Sequence, residues 1–235
     1  MARRVALTAG SVRVAHLRLQ APLDVRAVLR TGVGLEWALY FWAPPLSLCS
    51  LPSLRVNPLR LPPQAEQRGL KNITMHVEDY ADFVQPAKSQ VGKGVMYDAA
   101  MAIETIEHCR NIRTLLDAVG NRLRPGSTLF VQSLCHQSAS YLVDSGDWMG
   151  RNFFSGGSIL SLNSYYHLTP PSLHLEGVQP ILGDGYSRTL AAWLDNLEAK
   201  RGGMVAKYGS QFYEGFRAFY YVCVEAFAAN KQPQS

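Results

Sequence analysis

An alternation of strand and helix patterns, joined by short turns, constrains the fold more than any other feature of the sequence. Apolar and β-branched runs predict strands over residues 72–77, 95–103 and 127–131. Apolar residues at helical spacing predict a helix over residues 112–123, which Arg124-Pro125-Gly126 ends. Strands that alternate with helices favour a parallel sheet with right-handed crossovers. We therefore predict an α/β domain.

Two carboxylates and an imidazole follow the strand predicted at residues 95–103. Glu104, Glu107 and His108 come where the apolar run stops, and α/β folds expose polar groups at the carboxyl ends of their strands. A glutamate beside a histidine near a sheet edge can accept and release a proton near neutral pH. The alternative is that the acidic residues open a helix, since the helix dipole favours acids in a first turn.

Charge and residue spacing argue against several other classes of protein. The chain carries a net charge of +5, but residues 1–60 hold eight Arg, no Lys and two acids, so the remainder is close to neutral. We therefore expect no nucleic-acid partner. The scattered cysteines and histidines show no ligand spacing, so no metal is predicted. No apolar run is long enough for an integral membrane segment. We expect a cytoplasmic protein, with organelle targeting by the Arg-rich N-terminus left open.

The first 63 residues differ in character from the rest of the chain. A strand pattern at residues 27–29 runs into Thr31-Gly32-Val33-Gly34, a glycine turn of the kind that lets backbone amides approach a ligand. Six prolines lie within residues 38–63, which predicts an irregular loop. We predict an atypical Arg/Pro-rich segment with a degraded cofactor loop at residues 1–63, and a catalytic domain at residues 64–235.

Several ordered motifs run from residue 97 toward the C-terminus. They are Tyr97-Asp98, Ile103-Glu104-x-x-Glu107-His108, Leu123-Arg124-Pro125-Gly126-Ser127-x-Leu129-Phe130-Val131, Cys135-His136-Gln137, Asp147-Trp148-Met149-x-Arg151-x-Phe153-Phe154-Ser155-Gly156-Gly157 and Tyr186-Ser187-Arg188-Thr189-Leu190-x-x-Trp193, before an aromatic helix. Together they resemble class I S-adenosylmethionine-dependent methyltransferases of the branch that holds cyclopropane-fatty-acid synthases and coclaurine N-methyltransferase-like enzymes.

The resemblance implies a fold, a cofactor and a set of site residues. It implies a Rossmann-like doubly wound sheet of the class I methyltransferase type, with a small cap at residues 138–180 and a C-terminal helix. S-adenosyl-L-methionine is the implied cofactor, and Gly32, Gly34 and Asp79 stand where this family contacts it. Glu104, Glu107, His108 and Tyr186 stand at its catalytic positions. The implied activity is methylation of an amine nitrogen of a small molecule, because a protonated amine must lose its proton before it can attack.

Two alternatives remain open. One is transfer to an unsaturated acyl chain of a phospholipid, although Gln132 stands where those enzymes carry His. The other is a remnant without catalysis, because a third loop glycine and the acidic residue expected to hold the ribose are both missing. A reading-frame shift ahead of Gln64 would account for the changed sequence at nearly unchanged length.

Overall fold

A computed structural model describes most of the chain from residue 73 onward and three short segments before it. The described residues are 3–9, 38–42, 46–50, 73–91, 96–136, 138–154, 156–180 and 184–229. The predicted glycine turn and the predicted boundary between residues 63 and 64 lie outside them. The described residues divide into two compact units. The first contains those up to Thr8 and those from Ala38 to Val178, and the second contains Ala9 and those from Gln179 onward.

The strands of the described residues form two sheets. In chain order the strands are β1 (Arg3–Ala9), β2 (Ala38–Trp42), β3 (Leu46–Ser50), β4 (Ile73–Val77), β5 (Tyr97–Ile103), β6 (Leu123–Ser133), β7 (Cys135–His136), β8 (Tyr141–Leu142), β9 (Ser158–Ser161) and β10 (Leu173–Pro180). The large sheet has the order β10-β1-β6-β5-β2-β3-β4, and the small sheet has the order β7-β9-β8. β4 and β5 fall within the segments predicted to be strands.

The helices of the described residues follow the expected alternation with the strands. They are α1 (Tyr80–Phe83), a 3₁₀ turn (Ile106–His108), α2 (Ile112–Gly120), α3 (Trp148–Asn152), α4 (Leu162–Leu168), α5 (Asp184–Ala199), α6 (Arg201–Tyr208) and α7 (Ser210–Ala229). α2 begins where Asn111 Oδ1 accepts a hydrogen bond from the amide of Thr114, at 3.2 Å, which satisfies one of the free amides of a first turn. α2 lies between β5 and β6 in the chain, and because these two strands are parallel, it is the crossover that connects them.

Strand β6 begins earlier than the sequence predicts. Arg124-Pro125-Gly126 was expected to end the helix, but α2 ends at Gly120 and these three residues belong to the strand. The pairing with β5 shifts register between Tyr97 and Ala99, and Gly126 has a φ of 86°. An irregularity of this kind admits a proline and a left-handed glycine into a strand, because the ladder is interrupted there.

The prediction of an irregular loop over residues 38–63 is wrong for its first part, because β2 and β3 lie within it. β2 is antiparallel to both of its neighbours, β3 and β5, so the sheet is mixed rather than wholly parallel. Residues 43–45 alone connect β2 to β3, and a parallel neighbour would need a crossover of about a dozen residues. The prolines of the segment fall between or after these strands, where they do not interrupt a ladder.

The core of the first unit lies between α2 and the β5–β6 pair. Leu115, Leu123, Leu129 and Val131 are each at most 1% exposed. β5 and β6 are parallel, with Ala102 opposite Val131, so both strands end at the same edge. The predicted cap at residues 138–180 contains two of the three strands of the small sheet, β8 and β9, while β7 precedes it and its last strand, β10, belongs to the large sheet. The second unit contains α5, α6 and α7.

Candidate active site

Glu104 is the first residue after β5 and has a strained backbone. Its φ is 46°, the one positive φ of a non-glycine residue within the described part of the chain. Its amide donates to the carbonyl of Gln132 on β6 at 2.8 Å, and Gln132 Nε2 lies 3.4 Å from Glu104 Oε1. Burial raises the pKa of the Glu104 carboxyl, and the Gln132 contact lowers it in part. Backbone strain of this kind concentrates at functional sites.

Glu107 is the most deeply buried carboxyl group of this edge. It is 2% exposed, and its Oε1 accepts a hydrogen bond from the amide of Leu134 at 2.6 Å. Its Oε2 is buried and has no hydrogen-bond partner among the described residues. The carboxyl group thus joins the 3₁₀ turn to the end of β6, with one oxygen left to accept a further hydrogen bond.

Burial raises the pKa of Glu107 to about 7, since the charged form is poorly solvated. Hydrogen bonds from backbone amides and from Ser133 oppose this rise, while the nearby charge of Glu104 adds to it. A carboxyl group with this pKa can both take up and release a proton at physiological pH. The environment therefore suits Glu107 to the proton-transfer role that the sequence predicts.

His108 lies beside this group but has a different protonation behaviour. Burial lowers the pKa of His108 to about 3, so the imidazole is neutral at pH 7. Its ring stacks on that of Phe154, with centroids 5.9 Å apart and an interplanar angle of 15°. Phe154 lies shortly after α3, and the stacking restricts the plane of the imidazole. At neutral pH, Glu107 rather than His108 is therefore the residue that accepts a proton.

The helix-start interpretation of the acidic residues accounts for the backbone but not for the carboxylates. Glu107 and His108 do lie in a 3₁₀ turn that opens just after β5. The carboxyl group of Glu107, however, accepts a hydrogen bond from the amide of Leu134 at the neighbouring strand end, in addition to one from its own backbone amide. The cluster is therefore an interstrand contact rather than a helix cap.

The cofactor-contacting residues implied by the resemblance are only partly described. Asp79 lies after β4, is exposed, and caps α1 by accepting a hydrogen bond from the amide of Ala81 at 2.7 Å. Gly32 and Gly34 lie outside the described residues. Tyr186 lies on α5 in the second unit, with its ring 4.7 Å from that of Phe227 and 6.4 Å from that of Trp193. Its assignment to the active site stays a prediction.

Sequence reasoning missed Tyr165 and Ser133, which lie close to Glu107. Tyr165 is on α4 and Ser133 ends β6, and each is 2% exposed. The charge of Glu107 contributes to raising the pKa of Tyr165, whose largest cause is burial. No local pattern marks these two residues, because their proximity to Glu107 depends on the folded path of the cap. Within the described ranges, no group of three His, Cys, Asp or Glu residues could hold a metal ion.

The chain matches one family of known proteins and is similar to several N-methyltransferases of plants. Residues 64–233 match the family described as Mycolic acid cyclopropane synthetase. The chain is 24% identical over 182 residues to (S)-coclaurine N-methyltransferase of Papaver somniferum, covering 74% of the chain and 50% of that protein. It is 25% identical over 158 residues to Pavine N-methyltransferase of Thalictrum flavum subsp. glaucum, covering 63% of the chain and 42% of that protein.

Two solved structures resemble the fold. Coclaurine N-methyltransferase bound to N-methylheliamine and SAH superposes with a TM-score of 0.59 at 18% identity, over 76% of this chain and 52% of that one. A putative sarcosine dimethylglycine methyltransferase from Galdieria sulphuraria superposes with a TM-score of 0.56 at 14% identity, over 97% of this chain and 73% of that one. The predicted fold class, a Rossmann-like α/β fold of the class I methyltransferase type, is confirmed.

The chain spans half the length, or less, of the curated relatives it matches. The family match, in contrast, covers most of this chain. The chain belongs to the Mycolic acid cyclopropane synthetase family.

Proposed function

We propose that the chain is an S-adenosylmethionine-dependent methyltransferase that methylates an amine nitrogen of a small molecule. The observation that carries the proposal is the carboxyl group of Glu107, which is buried, has one oxygen without a partner among the described residues, and has a pKa of about 7. Such a group fits the chemistry of an amine, which must give up a proton before its nitrogen has a free lone pair.

In this proposal the carboxylate of Glu107 removes the proton from the substrate ammonium group. Because burial raises the pKa of Glu107 to about 7, the group can both accept a proton and give it up again near neutral pH. The amide of Leu134 holds Oε1, which leaves the two lone pairs of Oε2 for the substrate proton and for one further donor. Oriented contacts of this kind account for a large part of the acceleration in group transfer.

The neighbouring side chains would orient the amine rather than take its proton. His108 is neutral at pH 7 and can accept or donate a hydrogen bond, and its stacking on Phe154 restricts the direction of that bond. When ionised, the carboxylate of Glu104 would attract a cationic amine to this edge. Tyr186 remains a proposed site residue on the strength of the family motif alone.

The residues implied to hold the cofactor are compatible with S-adenosylmethionine where the structure describes them. Asp79 is exposed at the end of β4, so its carboxylate can accept a hydrogen bond from an adenine amino group. Gly32 and Gly34 would provide close backbone approach. When bound, the cofactor would supply an electrophilic methyl group on its sulfonium. We further propose a cytoplasmic location and no nucleic-acid partner; no described helix is long and apolar enough to cross a membrane.

Cofactor binding and methyl transfer should be measured separately. Calorimetric titration with S-adenosylmethionine tests binding, and we expect saturable heat. Transfer is then assayed with small secondary amines in one arm and with vesicles of unsaturated phospholipid in the other. Transfer to the amines supports the proposal, and transfer to the vesicles alone would replace it with the acyl-chain alternative. No saturable heat at millimolar cofactor would contradict both activities and support the remnant hypothesis.

Variants of the cluster link the activity to its residues. Glu107→Gln combined with His108→Ala should lower turnover about 10²-fold or more while cofactor binding is kept. His174→Ala is the matched control, because His174 is exposed on β10, and its turnover should equal that of the unmodified chain. An unchanged rate in the double variant would contradict the role given to the cluster.

A further inference from the structure

Two buried oxygen atoms in the first unit lack a hydrogen-bond partner among the described residues. They are Oε2 of Glu107 and the hydroxyl oxygen of Tyr165. Both residues are 2% exposed, so bulk water does not satisfy these atoms. A buried polar group without a partner costs about 1–3 kcal/mol. Two such groups in one region are therefore expected to share an internal water, which can bond to both.

Several contacts bring the two groups to the same place. The side chain of Ser133 interacts with Glu107 and also with Tyr165. Ser133 precedes Leu134, whose amide holds Oε1 of Glu107 at 2.6 Å. Cys135, on the other side of Leu134, interacts with both Glu107 and Tyr165. The end of β6 thus connects the 3₁₀ turn that carries Glu107 with α4, which carries Tyr165.

The two groups are also chemically complementary. Burial raises the pKa of Tyr165 well above its ordinary value, so the hydroxyl remains a hydrogen-bond donor throughout the physiological range. An ionised Glu107 only accepts hydrogen bonds. A donor near Oε2 therefore stabilises the carboxylate more than it stabilises the neutral carboxyl group. If Tyr165 only filled the core, its hydroxyl would have no effect on Glu107.

We propose that Tyr165 is a positioning residue for Glu107: through one internal water, the Tyr165 hydroxyl holds Oε2 of Glu107 and so sets the pH at which this carboxyl group takes up a proton. The inference deepens the proposed function and rests on it for its catalytic consequence. The contact itself can be tested without cofactor or substrate.

Other titratable and hydrogen-bonding groups lie around Glu107 and must be held constant. Three of them, Glu104, His108 and Cys109, are on the same segment as Glu107. The end of β6 contributes Ser133, the amide of Leu134, Cys135 and Gln132, of which Gln132 acts on Glu104, and α4 contributes Tyr165. Substitution of the Tyr165 hydroxyl alone leaves the others in place. Tyr166, its neighbour on α4, is 60% exposed and provides a matched control.

The test is a carboxyl ¹³C NMR titration of the whole chain labelled with [δ-¹³C]glutamate, with the Glu107 signal identified by its loss in Glu107→Gln. In the unmodified chain we expect a midpoint near 7. Tyr165→Phe should raise the midpoint by about one pH unit, since a hydrogen bond to a charged group contributes about 1.5–3 kcal/mol. Tyr166→Phe should leave it unchanged. An unmoved or lowered midpoint in a folded Tyr165→Phe chain would overturn the proposal.

A second measurement covers the case in which Tyr165→Phe does not fold. In the unmodified chain labelled with [ζ-¹³C]tyrosine, the signal of Tyr165 should move with the same midpoint as Glu107, while that of Tyr166 should not. Glu107→Gln should abolish the movement. A Tyr165 signal that stays fixed while Glu107 titrates would refute the contact.

The catalytic consequence is read from the pH dependence of methyl transfer. In Tyr165→Phe the acid limb of the kcat/KM profile should move upward by the amount seen in the NMR titration, and rates well above the new midpoint should recover. If the chain transfers no methyl group at all, the NMR result still decides whether Tyr165 acts on Glu107. Failure of the proposed function and failure of this inference are thereby distinguished.

Discussion

Ionisation of Glu107 should destabilise the folded chain, and the size of the effect follows from its burial. The folded pKa is about 7, against an ordinary value of 4.5. Each unit of difference corresponds to about 1.4 kcal/mol, so full ionisation costs up to about 3 kcal/mol. The folded state holds the proton to a higher pH than the unfolded state. Stability from this group is therefore present below pH 4.5 and is lost as the pH rises to about 7.

The variant Glu107→Gln removes this titration and keeps an acceptor for the amide of Leu134. The free energy of unfolding of the variant, minus that of the unmodified chain, should rise by up to about 3 kcal/mol between pH 4 and pH 8. We compare the two chains because the titration of His108 changes the unfolding free energy with pH in the opposite direction. Burial lowers its pKa to about 3, so its stabilising effect is lost as the pH falls below 6.5. That contribution is common to both chains and largely cancels.

The assay is urea unfolding followed by tryptophan fluorescence in a Trp193→Phe background. Of the remaining tryptophans, Trp148 lies on α3 in the first unit, so its signal reports the unit that contains Glu107. Glu176→Gln is the control, because Glu176 is exposed on β10. Its unfolding free energy should differ from that of the unmodified chain by less than about 0.5 kcal/mol at each pH. If the difference in unfolding free energy between Glu107→Gln and the unmodified chain is the same at pH 4 and pH 8, the claim that this carboxyl group is buried and hard to ionise is refuted.

Three further predictions test neighbouring features by urea unfolding of the same unit. His108→Gln should lose less stability than the unmodified chain when the pH falls from 6.5 to 4.5, and equal losses would contradict a desolvated imidazole. Glu104→Gly should be more stable than Glu104→Ala by about 1 kcal/mol, because φ is 46° there; the reverse order would contradict the strained backbone. Arg122→Met should cost about 3 kcal/mol, since Arg122 donates to the carbonyls of Phe83, Val91 and Ala118 and is 7% exposed. Arg124→Met should cost less than about 1 kcal/mol, since Arg124 pairs with Asp98 at the surface, and equal losses for the two arginines would contradict the buried role of Arg122.

The parts of the fold that follow from local periodicity were predictable. β4, β5 and α2 form where the apolar patterns predict them, and Glu104 follows β5 because the apolar run stops there. The sequence did not predict β2 and β3, because a high number of prolines indicates an irregular loop unless their positions are also considered. The apolar segments 38–42 and 46–50 contain no proline. Their pairing in the sheet depends on β5 as a partner, which no local pattern shows.

The site was predictable in its residue types but not in its electrostatics. The motif places Glu107 beside His108, and the two side chains nevertheless have pKa values displaced in opposite directions. Burial causes both displacements because it disfavours whichever form is charged. The amide of Leu134 and the hydroxyl of Ser133 come from the end of β6. Their effect on Glu107 arises only when the end of β6 packs against the 3₁₀ turn.

The unfavourable features of the first unit concentrate in the five residues from Glu104 to His108. They include a non-glycine residue at a φ of 46°, a buried carboxyl oxygen without a partner among the described residues, and an imidazole that burial keeps neutral. Each lowers stability, and each could be removed by a single conservative substitution. Sequences specify folds most easily when local and global preferences agree, and departures from that agreement cluster at functional sites. A chain that served only as a scaffold would gain stability by losing this cluster, so its presence favours the proposed proton-transfer chemistry over the remnant hypothesis.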